Sequence, residues 1–268
     1  MGQPVEHQKL DLILATHNNL GSTIKCIESL YNYTNVPFNL TIVDDSDDMT
    51  PVWIDWYIKQ GHDNIQYIRP KEELTCGNQI INIGLKHTKS EIVGYLGNNV
   101  FVQENWPIVA LTEMAKDPAV GIMGFKLLKY PTGVIEHAGI YFEAGMPHHM
   151  NFGVGEPGHL GVYFRELDIV GWALVLFKRA VYPEGLDEKT YIGFRGYDDL
   201  ENCLDARKRG WKVFYCGMGC AYHEAMSIRK QETDKGDAEH EENRQTFLSR
   251  WGDVKDAKKA KLVTREKA

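Results

Sequence analysis

The chain has 268 residues, 43% hydrophobic and 25% charged, the composition of a globular α/β-sized domain with a sizeable core. Its formal charge of −7 argues against a broadly basic surface and predicts no nucleic-acid partner. No apolar run approaches the ~18 residues of a transmembrane segment, no basic-then-apolar leader is present, and five cysteines without framework spacing predict a reducing, cytoplasmic setting.

Leu10 to Ala15 reads as a first strand ending in the polar loop Thr16-His17-Asn18-Asn19-Leu20-Gly21. Ser22 or Thr23 starts a helix with Ile24, Ile27, Leu30 and Tyr31 on one face. Phe38 to Val43 is a second strand, stopping at Asp44-Asp45-Ser46-Asp47-Asp48. Trp53, Trp56 and Tyr57 mark a helix, and Ile65 to Ile68 a short strand. Cys76 to His87 is helical, Ile92 to Leu96 is a strand running into Gly97-Asn98-Asn99, and Trp106 to Ala115 is helical again. This alternation predicts an α/β fold with a Rossmann-type, mostly parallel central sheet flanked by helices, and ligands outside the carboxyl ends of its strands.

Val120 to Leu128 opens a less regular half. Gly133-Val134-Ile135-Glu136-His137-Ala138-Gly139 leads into a strand through Phe142, and residues 144–161, rich in Gly, Pro and His, read as an active-site loop or flap. Val170 to Phe177 reads as a central strand and Trp211 to Tyr215 as an edge strand. Residues 226–268 form a charged helical extension, packed on or projecting from a domain of residues 1–225. Within it, Lys255 to Lys267 is a solvated helix or a weak peripheral membrane contact.

The strand ends carry the chemistry. Asp44 and Asp45 either accept hydrogen bonds from a ribose or base N–H, or cap an acidic turn. Gly77, Asn78, Asn82 and Gly84 form a small, polar series that permits close approach to a nucleotide. No Gly-x-Gly-x-x-Gly follows the first strand and no Gly-Lys-Ser/Thr occurs, so hydride transfer and triphosphate hydrolysis lack their usual phosphate-holding signatures. Asp198 and Asp199 sit where a glycine-rich loop meets a helix striped by Leu200, Cys203 and Leu204, as helix caps or as a reacting pair. His137 reads as an acceptor contact or a packed histidine, and Trp172 as a sugar-stacking platform or core residue.

Several fragments recur in a family's order: Leu12-Ile13-Leu14-Ala15-Thr16-His17-Asn18, Val43-Asp44-Asp45-Ser46, Asn82-Ile83-Gly84 and Leu96-Gly97-Asn98-Asn99-Val100. Gly133 to Gly139, Gly185-Leu186-Asp187-Glu188, Tyr197-Asp198-Asp199-Leu200-Glu201 and Ala221-Tyr222-His223 follow. Over about residues 10–225 the chain resembles the inverting glycosyltransferases of family 2, with their GT-A fold. It is especially similar to rhamnosyltransferase-like members of polysaccharide biosynthesis.

The resemblance implies a hexosyl- or deoxyhexosyltransferase using a UDP- or dTDP-sugar donor and a saccharide or lipid-linked saccharide acceptor, in the cytoplasm or at the inner face of the membrane. Thr16, Asn18, Asp44 and Asp45 would hold the nucleotide, with Asn78, Asn82, Asn98 and Asn99 on the same side. Asp199 would be the general base, Asp198 its acidic partner, and His137, Trp172, Arg195 and His223 acceptor or diphosphate contacts. The family's metal-holding Asp-x-Asp cluster is replaced at Gly97-Asn98-Asn99, which leaves Asn99 and His223 as candidate ligands for Mg²⁺ or Mn²⁺. Without a metal, Lys126, Arg195 or another cation would offset the leaving-group charge. A retaining or metal-independent transferase and a non-catalytic nucleotide-sugar-binding protein are the alternatives.

Overall fold

The computed structural model describes residues 9–143, 146–155, 161–194, 196–224 and 233–251. Its first half alternates as expected: β1 (Leu10–Thr16), α1 (Leu20–Tyr33), β2 (Phe38–Asp44), α2 (Thr50–Ile58), β3 (Ile65–Ile68), α3 (Gly77–His87), β4 (Ile92–Gly97), β5 (Val100–Val102) and α4 (Ile108–Lys116). The second half adds β6 (Val120–Lys129), β7 (Ile135–His137), β8 (Ile140–Glu143), β9 (Met146–His149), β10 (Phe164–Leu167) and β11 (Leu174–Lys178). It ends with α5 (Asp198–Lys208), β12 (Lys212–His223) and α6 (Thr233–Trp251).

The main sheet runs β10-β12-β6-β11-β4-β1-β2-β3, with β5 on β12 and β7 on β6. β4, β1, β2 and β3 are parallel, each connection closed by a helix. β11 is inserted antiparallel between β4 and β6, and β12 then runs parallel to β6, so the sheet as a whole is mixed. β1 is buried because both faces are covered: Leu12 and Leu14 enter one core with Ile27, Leu40 and Trp106, while Ile13 enters the other with Ile80, Phe177 and Tyr215. The second face is packed closely. A carbon added at Gly84 of α3 would come within 2.6 Å of Ile13.

Three local expectations change. The strand starting near Trp211 is not an edge: it extends to His223 and lies between β10 and β6, leaving β10 at the border. The apolar run at Val170 forms a strand only from Leu174, because Gly171 and Trp172 are held elsewhere by His137 and Asp199. Part of the segment 144–161 is β9, hairpin-paired to β8, and residues 144–145 and 156–160 lie outside the described residues.

The terminal helix α6 packs on the loop before α5. Phe247 is fully buried against Tyr197, and the Asn243 amide bridges both backbone groups of Ile192 and the carbonyl of Gly196. Arg250 and the Trp251 indole both donate to the Glu201 carboxylate. Lys255 to Lys267 lies outside the described residues. Among the described residues no helix is long and apolar enough to cross a membrane.

Candidate active site

Strand direction gathers the polar loops at one edge. β1, β2 and β4 end there at Thr16, Asp44 and Gly97. β11 runs the other way, so Trp172 and Ala173, just before it, meet the same edge, with Ala173 O accepting from Gly97 N at 3.4 Å. β6 and β12 arrive parallel to one another, which brings His223 beside Lys129. This is the edge at which α/β sheets bind ligands.

Asp44 organises the β1–β2 side. It has no exposed surface, and its carboxylate accepts from the Thr16 hydroxyl (2.7 Å), Ser46 N (3.1 Å), the Tyr67 hydroxyl (2.6 Å) and Arg69 Nη1 (3.0 Å). Four donors fill the acceptor positions of a carboxylate, so Asp44 shapes this loop from beneath. Asp45, half-buried, pairs with His17 at 2.8 Å. Asn18 and Asn19 both have positive φ (52° and 61°), a conformation asparagine tolerates better than most residues. Asn18 Oδ1 accepts from Asp47 N and Asp48 N, while Asn98 Nδ2 donates to Asn18 O at 2.7 Å and to Thr23 Oγ1. Thr16, Asn18, Asp44, Asp45 and Asn98 thus form one connected loop cluster.

Arg69 belongs to this cluster and was missed in the sequence. Nη2 donates to Ser46 O at 2.8 Å, and about half of the side chain remains exposed. Its position one residue beyond β3, at the same edge as Asp44, is the signal that could have found it. Asn78 and Asn82 have another task. The Asn82 amide binds both backbone groups of Leu186 and the Glu188 carboxylate, and Asn78 binds Asp187 O and Asn202. Both tie the 185–188 loop to α3.

Asn99 and His223 do meet. Asn99 Nδ2 lies 3.1 Å from His223 Nε2 and also donates to Glu224 O, which fixes the amide orientation. Nε2 is therefore the acceptor, and Nδ1–H donates to Glu136 at 2.9 Å. The residues present do not fit a resident divalent cation in this arrangement. The Glu136 carboxylate is engaged by His223 and the Glu224 carboxylate by Ser22, the amide nitrogen rather than its oxygen faces the ring, and no group of three metal-binding side chains occurs among the described residues. Glu136 escaped sequence reasoning although it lies within the Gly133–Gly139 fragment.

Asp198 and Asp199 open α5, yet neither is its cap. That position is Tyr197, held at φ 74° and making no side-chain cap bond. Positive φ is strained for a bulky residue; the Tyr197 ring packs between His240 and Phe247 of α6, which holds it there. Asp199 accepts from Leu200 N at 2.9 Å and Trp172 N at 3.4 Å. Burial, and then the adjacent Asp198 charge, push its carboxyl up to about 7. Asp198 leans toward α3: a carbon added at Gly77 would sit 3.0 Å from its Oδ2.

Trp172 faces inward. It is nearly buried, stacks on Phe177 and donates its indole N–H to Cys203 Sγ at 3.3 Å. His137 is also buried, bonded through Nε2 to Gly171 N and through Nδ1 to His149. Burial, with smaller contributions from His149 and His223, lowers its pKa well below the ordinary histidine range. Both residues thereby support the Gly171-Trp172 turn whose amide meets Asp199. Arg195 lies outside the described residues.

Comparison with known proteins agrees with this architecture. The family model described as glycosyl transferase family 2 matches residues 11–167. Among solved structures, the mannosyltransferase PcManGT from Pyrobaculum calidifontis, in complex with GDP-Man and Mn²⁺, aligns with TM-score 0.64 at 15% identity, over 94% of this chain and 67% of that one. GalNAc-T7 with UDP, GalNAc and Mn²⁺ aligns with TM-score 0.68 at 14% identity, over 81% of this chain, which spans 44% of that one. TarS 1-349 from S. aureus gives 0.58 at 14%, over 91% and 71%. At these identities the solved structures show likeness of fold. No curated protein sequence matches the chain. The family match spans more than half of the chain and covers the loop cluster at 16–18, 44–46 and 97–99: the chain belongs to glycosyl transferase family 2.

Proposed function

We propose that the chain is an inverting glycosyltransferase moving a hexosyl or deoxyhexosyl group from a nucleotide diphosphate donor to a hydroxyl of a saccharide or lipid-linked saccharide. Asp199 is the general base. The observation that carries this reading is the Asp199 carboxylate, recessed at the functional edge, held by Trp172 N and raised in pKa by burial and Asp198. A base titrating near neutrality takes a proton from a hydroxyl more readily than an ordinary carboxylate does.

The donor nucleotide lies over the 16–18, 44–46 and 97–99 loops, with the half-exposed Arg69 toward the phosphates. The acceptor oxygen attacks the anomeric carbon from the opposite face while Asp199 accepts its proton, and the bond to the diphosphate oxygen breaks. Inversion follows from this single displacement. The ligands bound in two structural neighbours, GDP-Man in one and UDP with GalNAc in the other, support a nucleotide-sugar donor. The motif resemblance favours a UDP- or dTDP-sugar of the deoxyhexose type and an acceptor from polysaccharide biosynthesis. All five cysteines are free thiols, in keeping with a cytoplasmic setting. A metal-independent form of the same transfer is favoured by the Asn99–His223–Glu136 chain, in which each donor is taken by the next residue's acceptor.

The test is turnover of a nucleotide-sugar panel with saccharide acceptors, with and without EDTA, followed by NMR of the product's anomeric centre. An inverted centre is expected; a retained one would remove Asp199 from its role in direct displacement.

A further inference from the structure

One buried cation of the main sheet has no counter-ion among the described residues. Arg165, on β10, is 8% exposed, and its Nε is buried without a hydrogen-bond partner. Its guanidinium lies over the Tyr163 ring at 4.3 Å, and Nη2 points at the Met150 sulfur. The next residue, Glu166, projects to the other face of the strand and pairs with Arg207. No carboxylate accompanies Arg165 among the described residues.

Burying a cation without an anion is costly, and such charges are ordinarily paired. A thioether is a weak acceptor and a mobile one, so the Met150 sulfur stands where an anion oxygen would bind. The planar fork of arginine matches a carboxylate or phosphate in two parallel hydrogen bonds. Here two of its donors, Nε and Nη2, carry no conventional partner.

The surroundings connect this fork to the reacting end. The Tyr163 hydroxyl donates to Ala138 O, beside His137, and the Tyr163 ring packs on Tyr215 at 5.1 Å. Tyr215 packs on His137, His137 accepts from Gly171 N, and the next amide, Trp172 N, donates to Asp199. The Arg165 fork thus lies several side chains from Asp199, on the side away from the Asp44 loops. Met150, just after β9, borders it, and Asn151 donates to the Tyr163 hydroxyl at 3.4 Å.

We propose that Arg165 anchors an anion subsite for the acceptor, recognising a carboxylate or phosphate group carried by an acidic glycan at a distance from the reacting hydroxyl. Met150 moves aside as the oxyanion takes its place on Nε and Nη2. This inference rests on the transfer reading for the acceptor's identity, but the anion site itself can be tested apart from it.

The probes are methyl glucuronide for a carboxylate, a hexose 6-phosphate for a phosphate and methyl glucoside as the neutral control. Melting temperature and chemical-shift titrations are measured on wild type, Arg165→Met and Arg165→Lys, with a nucleotide-sugar titration of wild type alongside. Wild type is expected to respond to one or both anionic sugars and not to the glucoside. Arg165→Met should lose that response while melting no lower than wild type, because it removes an unpaired buried charge. Arg165→Lys should retain it about 10- to 100-fold more weakly, the fork being lost but the charge kept. Response to glucuronide alone or to phosphate alone identifies which oxyanion is read.

Equal response to the glucoside, or an unchanged anionic response in both variants, would overturn the proposal. So would a silent wild type, including one alongside an unfolded Arg165→Met, since the arginine would then be structural. Binding of anionic sugars by a wild type that binds no nucleotide sugar would leave the subsite standing and remove the transfer reading instead.

Discussion

Replacing Asp199 with Asn should make the protein more stable while abolishing transfer. The Asp199 carboxyl is raised from 3.8 to about 7, first by burial and then by Asp198. Between those values the folded chain holds a proton that the unfolded chain has released. Wild-type stability therefore falls as pH rises through this window. At about 1.4 kcal/mol per decade, the full penalty of ionised Asp199 reaches about 4 kcal/mol above pH ~7. Asn keeps one oxygen for Leu200 N and loses the long bond from Trp172 N, which returns about 1 kcal/mol. The expected net gain is thus about 1–3 kcal/mol at pH ~8 and near zero at pH ~4. Urea unfolding of both proteins across that range measures it, with the difference widening as pH rises. Turnover should fall by about 10²–10⁴, as for loss of a general base, with nucleotide binding retained. A stability difference that does not change with pH would refute the argument that Asp199 is held as an uncomfortable anion. Wild-type-like turnover would reject it as the base.

Asp44→Asn should cost about 3 kcal/mol, because one face of the new amide presents N–H groups to the donors that now converge on a carboxylate. Denaturant midpoints measure that loss, and weaker nucleotide-sugar binding by calorimetry should accompany it as the 44–46 loop relaxes. Phe247→Ala should cost about 3–5 kcal/mol and release the Tyr197 ring, so turnover should fall more than a distant core truncation of equal cost. Asn99→Asp should turn a neutral donor facing His223 into a carboxylate beside its ring. This variant should gain Mn²⁺ binding detectable by electron paramagnetic resonance; no gain would show that position 99 and His223 do not share a site.

Hydrophobic periodicity and loop composition made most of the architecture legible. The four parallel strands β1 to β4 fall within a residue or so of their expected positions, because each is a short apolar run bounded by polar turns. The same argument located the edge carrying Thr16, Asp44 and Gly97. It failed at Trp211, where a run of apolar residues looks alike in an edge and an interior strand, and at Val170, where Gly171 and Trp172 leave the strand to meet His137 and Asp199. Pairing partners far apart in the chain decide both cases.

The residues of the candidate site were mostly legible by type and not by task. Asp44, Asn78 and Asn82 were marked as polar groups at strand ends and on a helix, but their lone pairs and amide protons are taken by Tyr67, Arg69 and the 185–188 loop. Arg69, Glu136 and Arg165 carried no local pattern, since what distinguishes them is a partner, or the lack of one, across the fold. The sequence by itself determined the alternation of strands and helices, the functional edge and the acidic pair at 198–199, all properties of neighbouring residues. Only the tertiary structure decided which charges are satisfied. Hydrogen bonding and desolvation depend on what lies within a few ångströms in space, and that is how Asp199 is raised, Asp44 is saturated and Arg165 is left without an anion.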